Sequence, residues 1–116
     1  MSIRRIAPGP RMSGAVVHGD TVYLSGHVAA EPRGSVRRQT EAILACIDER
    51  LAAAGTSRAN LLSAQIWLTD IATFDEMNAV WEAWIDPANP PARATVEAKL
   101  ANPDYLVEIS VIAAKT

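Results

Sequence analysis

The sequence predicts an α+β domain in which two helices pack on one face of a mixed β-sheet. The predicted elements follow the order strand, strand, helix, strand, helix, strand, strand, and both helical segments carry apolar residues at helical spacing. The chain has 116 residues, of which 49% are apolar and 21% are charged. Such a length and composition are typical of one globular domain, so we expect a single domain over residues 1–116.

Short β-rich segments begin the chain. Residues 2–6 suit an edge strand, and a Pro-Gly-Pro sequence at residues 8–10 ends regular structure after it. The runs 15–18 and 21–25 are separated by Gly19-Asp20. This pair favours a two-residue hairpin because glycine readily adopts the positive φ that such turns require.

The first helix is predicted from Ser35, a suitable N-cap, to about Ala54, with Gly55 as the residue that stops it. The charged residues of this segment fall mostly away from one apolar face, which should lie on the sheet. That face contains Ile43, Leu44, Ile47 and Leu51.

Alternating apolar and polar residues predict the next strand over residues 62–68. Four apolar residues share its inner face, namely Leu62, Ala64, Ile66 and Leu68. Trp67 falls on the opposite face, where a large aromatic side chain is unusual for a purely solvated surface.

The second helix begins with Thr73 and Glu76 at the spacing of a capping box, in which each side chain bonds the other residue's backbone N–H. Asp86-Pro87 ends the helix, since a residue before proline avoids the α region. The apolar stripe between these ends consists of Phe74, Met77, Trp81 and Trp84.

Two strands are predicted to close the chain, over residues 92–100 and 106–113, and we expect them to pair as a hairpin-like unit. One face of the last strand is apolar, whereas the other combines Leu106 and Ile112 with Glu108 and Ser110. An exposed apolar sheet face usually marks an interface. We therefore predict a homo-oligomer in which neighbouring copies cover the helix-free face. The alternative is that the phase of this strand differs from the prediction.

Arg93 and Glu108 are the candidates for chemistry. If the last two strands are neighbours and their polar faces coincide, Arg93 or Thr95 lies near Glu108. Arginine can bind a carboxylate through two parallel hydrogen bonds, and a desolvated glutamate can transfer protons or hold a water. The alternative is a structural ion pair at an interface, which spacing alone favours.

Composition disfavours several classes of protein. The net charge of −2, from 11 basic and 13 acidic residues, is unlike the strongly basic face of a nucleic-acid binder. A single cysteine excludes an intrachain disulfide and suits a reducing compartment. No membrane span or secretory signal is visible, so we expect a cytoplasmic protein with no membrane partner. His18 and His27 do not form a metal-ligand pattern, and no dinucleotide or Walker motif is present.

Several short motifs resemble those of the Rid family of RidA/YjgF-like proteins, and their order and spacing extend over nearly the whole chain. Segments 81–84 and 101–105 are most similar to the YoaB-type branch of that family. The motifs are Gly19-Asp20-Thr21-Val22-Tyr23-Leu24-Ser25-Gly26, Gln39-Thr40, Leu68-Thr69-Asp70, Met77-Asn78, Pro90-Pro91-Ala92-Arg93-Ala94-Thr95-Val96 and Val107-Glu108-Ile109.

The resemblance implies a chorismate-mutase-like fold and a homotrimer with clefts between subunits. It implies hydrolysis of enamine and imine intermediates to 2-oxo acids and ammonia, without a metal or cofactor. Arg93 would bind the carboxylate of a 2-imino acid, and Glu108 would position or activate water. Thr95, with Ser25 and Gly26, would complete the cleft.

The sequence departs from the family pattern in the segment before the first hairpin and at two further positions. Met12 stands near where RidA has a tyrosine, Thr95 replaces a cysteine, and His27 replaces a common glutamine. These departures leave a second hypothesis open: a trimeric protein that binds small carboxylate metabolites without turnover. Chorismate mutase activity is a third, which follows from fold analogy alone.

Overall fold

A six-stranded mixed sheet with two helices on one face makes up residues 2–115, the part of the chain that the computed structural model describes. The strand order is β1-β2-β3-β6-β4-β5, with β4 and β5 parallel and all other neighbours antiparallel. The predicted fold class is confirmed. The elements are β1 (Ile3–Pro8), β2 (Ser13–His18), β3 (Thr21–Leu24), α1 (Val36–Ala53), β4 (Leu61–Leu68), α2 (Phe74–Trp84), β5 (Ala92–Glu97) and β6 (Val107–Ala114).

The predicted hairpin and the limits of the first helix are confirmed. Gly19 has φ 61°, and His18 pairs with Thr21 across the turn. At the start of α1, the Ser35 hydroxyl accepts a hydrogen bond from the Arg38 N–H at 3.3 Å. Gly55 follows α1 with φ 83°, a conformation that glycine adopts without strain. The predicted apolar face of α1 is buried in the core.

The capping box predicted at the start of α2 is wrong. A single turn of 3₁₀ helix, Ile71–Thr73, precedes α2, and the Thr73 hydroxyl donates to the Asp70 carbonyl at 2.6 Å. The Glu76 carboxylate instead accepts from the backbone N–H of Arg37, in the first turn of α1, at 2.9 Å. Glu76 therefore links the two helices, because the α1 N-terminus offers unpaired N–H groups.

The strand predicted over residues 62–68 begins one residue earlier, and one of its inner residues is displaced. A register irregularity between Leu61 and Ser63 places Leu61 in the core and leaves Leu62 51% exposed. The other predicted inner residues are buried as expected. A bulge inserts one extra residue and so reverses the alternation locally, which pattern alone does not reveal.

The expectation that the last two strands pair is wrong. β4 lies between β5 and β6 in the sheet. The segment β4-α2-β5 joins two parallel neighbouring strands through a helix, so β5 takes the sheet edge beside β4. β6 then pairs with β4 on its other side and with β3.

The helix-free face of the sheet carries large apolar side chains, as the alternation in β6 predicted. Trp67 and Glu108 are paired across β4 and β6 on this face, and both are half-buried. Four apolar residues with substantial exposure occur on its strands: Ile3, Tyr23, Leu62 and Val96. Coverage of this face by other copies of the chain stays a prediction. Within residues 2–115, no helix combines the length and apolar character needed to cross a bilayer.

Asp48 connects α1 with the end of α2. One carboxylate oxygen of Asp48 accepts from Arg58 at 2.7 Å and from the Trp84 indole N–H at 3.0 Å. The Arg58 guanidinium also donates to the Trp84 carbonyl at 2.6 Å and lies 4.9 Å from the centre of its ring. The side chain of Asp48 is therefore the shared acceptor of this cluster.

We expect Asp48→Ala to lower the free energy of unfolding by about 1–3 kcal/mol, because two donors lose their acceptor. Solvent exposure of 40% for Arg58 and 35% for Asp48 favours the lower end of that range. Denaturant unfolding measures the change. Glu41→Ala is the control, since its ion pair with Arg37 is long, at 3.9 Å, and exposed. Equal losses in the two variants would contradict the special role of Asp48.

Candidate active site

Arg93 lies on β5 at the sheet edge, on the side that carries the helices. It pairs with Ala64, whose side chain belongs to the helix-covered core. The guanidinium carbon lies 5.4 Å from the centre of the Trp81 ring and 5.7 Å from that of Phe74. Its Nη1 donates to the Asn78 side-chain oxygen at 2.7 Å. Two rings and one hydrogen bond from α2 thus orient the guanidinium.

Within residues 2–115, no carboxylate forms an ion pair with Arg93 at 4 Å or less, and Glu82 acts on it only from a longer distance. Partial burial lowers its pKa, an effect that the nearby Glu82 opposes. Arginine nonetheless keeps its charge at neutral pH. A half-buried guanidinium held by a neutral amide and aromatic rings retains donors for a ligand, and a carboxylate matches their planar geometry.

Thr95 shares the face of Arg93, two residues further along β5, where it pairs with Ile66. Its Oγ1 is buried and has no hydrogen-bond partner within residues 2–115. An unpaired buried hydroxyl is costly, so its occurrence beside a free cation indicates a place for a polar ligand or a neighbouring chain. Arg93 and Thr95 form what we call the cationic half-site.

Glu108 lies on the helix-free face, against the segment that follows β3. A Cβ atom added to Gly26 would lie 3.0 Å from the Glu108 carboxyl carbon and would collide with the carboxylate. Glycine is therefore required at position 26 for this close approach. Next to it, the Ser25 hydroxyl donates to the Gly14 carbonyl at 3.3 Å.

Met12 lies between β1 and β2, with 57% of its surface exposed. It lines a cavity of about 340 Å³ together with Ser25 and Gly26. We call Glu108, Gly26, Ser25 and Met12 the carboxylate half-site. A thioether cannot donate a proton, so Met12 contributes shape and apolar surface.

The two half-sites are separate within one chain, and the expectation that Arg93 or Thr95 lies near Glu108 is wrong. Arg93 is level with Val111 across β4, three residues from Glu108, and β4 lies between the two strands. These offsets correspond to about 10 Å along the strands and about 10 Å across them. The two side chains also point to opposite faces. A structural ion pair between them in one chain is therefore excluded as well.

Two residues that matter here, Asn78 and His27, stood out in the sequence but received no role from it. Asn78 belongs to the Met77-Asn78 motif, and nothing in its spacing indicated a bond to Arg93. His27 is only 8% exposed, and its Nδ1 lies 2.7 Å from the Ser25 carbonyl oxygen. Burial lowers the pKa of His27 and the Arg50 charge adds to this, while the Ser25 carbonyl opposes it. The imidazole is therefore neutral at pH 7, with Nδ1 as the donor.

Within residues 2–115, no group of three or more His, Cys, Asp or Glu side chains is placed to hold a metal ion. The chemistry that these residues can perform themselves is ionic binding of an anion by Arg93 and proton transfer by Glu108.

Comparison with known proteins agrees with this architecture. The chain matches the profile of the Ribonuc_L-PSP family, described as Endoribonuclease L-PSP, over residues 2–115. It is 41% identical to a RutC family protein of Haemophilus influenzae, covering 97% of this chain and 98% of that protein. It is 40% identical to the RutC family protein YoaB of Escherichia coli, covering 98% and 99%.

Solved structures give the same result. A YjgF-family protein of Neisseria meningitidis is 43% identical and superposes with a TM-score of 0.96 over 100% of this chain and 97% of that one. A protein of the Rid family from Yersinia pestis, 28% identical, has a TM-score of 0.86 over 92% and 90%. The YjgF-family protein of known structure that the chain resembles shares its fold. The chain therefore belongs to the Ribonuc_L-PSP family.

Proposed function

We propose that this protein hydrolyses reactive 2-imino acids to 2-oxo acids and ammonia, at clefts between the subunits of a homotrimer. In each cleft, the cationic half-site of one copy faces the carboxylate half-site of the next. The observation that carries the proposal is the Arg93 guanidinium, which α2 orients and which forms no direct ion pair within residues 2–115.

The separation of the half-sites supports an assembly. A small imino acid cannot reach both Arg93 and Glu108 of one chain across offsets of about 10 Å in two directions. The exposed apolar side chains of the helix-free face, on which Glu108 lies, suit contact with a second copy. Cyclic association with one repeated contact creates identical sites from unlike parts of neighbouring copies.

The proposed reaction needs few groups. Arg93 binds the substrate carboxylate through parallel hydrogen bonds and fixes the C=N carbon. The substrate reacts as the protonated imine. Glu108 takes a proton from the attacking water, the C=N electron pair moves to nitrogen, and a carbinolamine forms. Glu108 then gives its proton to the amino nitrogen, the C–N bond breaks, and the hydroxyl proton passes back to Glu108, which leaves a 2-oxo acid and ammonia. The neutral His27 donates its Nδ1–H to the Ser25 carbonyl and so helps to hold the Ser25-Gly26 segment beside Glu108.

RNA is the other substrate class that the family description names. A binder of RNA usually presents a strongly basic face. Here 13 acidic residues outnumber 11 basic ones. We therefore favour a small carboxylate substrate.

The test is the hydrolysis of freshly generated 2-iminopropanoate. Semicarbazide is added to compete with water for the imine, and the formation of pyruvate is measured. Wild-type protein should accelerate pyruvate formation, and Arg93→Ala should reduce kcat/KM by about 100-fold or more, because a charged hydrogen-bonding pair is lost. Arg37→Ala, which removes an arginine side chain that is 71% exposed on α1, is the matched control and should behave as wild type.

Three outcomes separate the hypotheses. Equal acceleration by wild type and Arg93→Ala would remove Arg93 from the site. No acceleration by wild type, together with Arg93-dependent binding of pyruvate in calorimetry, would replace the proposal with a protein that binds carboxylates without turnover. Cleavage of a fluorescent RNA by wild type but not by Arg93→Ala would favour the ribonuclease activity instead.

A further inference from the structure

The cavity of about 340 Å³ at the carboxylate half-site extends beyond the residues that the proposed reaction uses. One wall comes from the segment between β1 and β2 and from residues 25–28 after β3. The other wall comes from α1, through Cys46 and Arg50, which are four residues apart and lie on one side of the helix. A cationic side chain therefore enters the cavity from the helix.

The Arg50 guanidinium can lie close to β2 because Gly14 has no side chain. A Cβ atom added to Gly14 would lie 2.8 Å from the Arg50 Nε and 3.0 Å from its Cζ. The Nε atom is buried and has no hydrogen-bond partner within residues 2–115, and Arg50 forms no ion pair in that range. A buried N–H without an acceptor is costly, and an anion in the cavity would supply the missing acceptor for Nε.

His27 also lines the cavity. Since its Nδ1–H donates to the Ser25 carbonyl, Nε2 carries no proton and can only accept a hydrogen bond, which leaves Arg50 to bind an anion. The Cys46 thiol and the Met12 thioether are weakly polar, so neither competes with an anion for Arg50. The cavity thus offers one cation, one imidazole nitrogen and apolar walls.

We propose that this cavity binds a second carboxylate of the substrate, through Arg50, so that the protein prefers 2-imino acids with an acidic side chain. This inference rests on the proposed function. Gly26 touches the Glu108 carboxylate and also lines the cavity, so the cavity and Glu108 meet at this residue, although Glu108 is not part of the lining. Arg93 of one copy then binds the carboxylate next to the C=N carbon, and Arg50 of the copy that supplies Glu108 binds the distal one.

The kinetic test compares 2-iminosuccinate with 2-iminopropanoate, both generated in situ by amino-acid oxidation. Wild type should show the higher kcat/KM for the dicarboxylate. In Arg50→Gln the ratio of the two kcat/KM values should fall about tenfold or more, mainly through KM, since charged hydrogen bonds to the bound substrate are lost. Arg50→Lys, which keeps the charge, should recover part of the ratio, and Arg37→Gln should leave it unchanged.

Binding of succinate and propionate, measured by calorimetry, makes the inference testable without turnover. Succinate should bind wild type more tightly than propionate does, and Arg50→Gln should remove the difference. If wild type hydrolyses neither imine but binds succinate through Arg50, the proposed function fails and the carboxylate site stands. If wild type hydrolyses 2-iminopropanoate and Arg50→Gln leaves both the ratio and succinate binding unchanged, the function stands and this inference is overturned. If Arg50→Gln loses succinate binding but keeps the ratio of the two kcat/KM values, Arg50 does not bind the distal carboxylate of the substrate, and this inference is likewise overturned.

Discussion

Mixing two inactive variants, Arg93→Ala and Glu108→Gln, should restore about a quarter of the wild-type activity per site. In the proposed assembly, each site takes Arg93 from one copy and Glu108 from the next. With equal amounts and random assembly, half of the copies supply an intact Arg93 and half supply an intact Glu108, and the product of these fractions gives the expected recovery. Subunits are exchanged by co-expression or joint refolding, and pyruvate formation from 2-iminopropanoate is measured.

Activity recovered in this mixture would exclude a site within one chain, because every copy in the mixture lacks either Arg93 or Glu108. Each variant treated alone in the same way is the control and should stay inactive. Native mass spectrometry of differently tagged variants shows whether mixed oligomers have formed. Mixed oligomers without recovered activity would contradict a site shared between copies.

Glu108→Gln alone should reduce kcat by about 10²–10⁴-fold, the usual range for loss of a positioned acid or base. Glutamine has nearly the same shape, so the close approach to Gly26 persists while proton transfer is lost. Binding of pyruvate should persist, because Arg93 and not Glu108 holds the carboxylate. A kcat comparison combined with calorimetry therefore separates loss of chemistry from loss of binding.

Glu49→Gln is the matched control for this variant, since Glu49 is an exposed carboxylate on α1. It should leave kcat and pyruvate binding at the wild-type level. Undiminished kcat in Glu108→Gln would remove Glu108 from the reaction. Loss of pyruvate binding along with turnover would indicate that Glu108 supports the shape of the cleft and does not transfer protons.

Local sequence patterns predicted most of the secondary structure. The Gly19-Asp20 turn, the Ser35 cap and the Gly55 stop were correct, because each depends on the backbone preference or hydrogen bonding of residues close in the chain. The capping box at Thr73 failed although its spacing was right. Its partner, Glu76, instead accepts from a backbone N–H at the N-terminus of α1, which is distant in sequence.

The sequence predicted which residues belong to the candidate site, but it did not predict how they are placed relative to one another. Arg93 and Glu108 were identified by charge, strand phase and resemblance. Their separation depends on which strand lies beside β6, and alternation within a strand carries no information about its neighbours. Arg50 was missed because a polar residue on an amphipathic helix normally faces solvent, and only the fold brings it against Gly14.

By itself, the sequence determined the fold class, the limits of α1 and the inner face of β6, since propensity, capping and periodicity act between residues a few positions apart. Only the tertiary structure decided that β4 separates β5 from β6, that Asn78 and two aromatic rings orient Arg93, and that Arg50 and Gly26 line one cavity. These features arise from contacts between distant segments. They are set by how the helices and strands pack together, which local preferences do not encode.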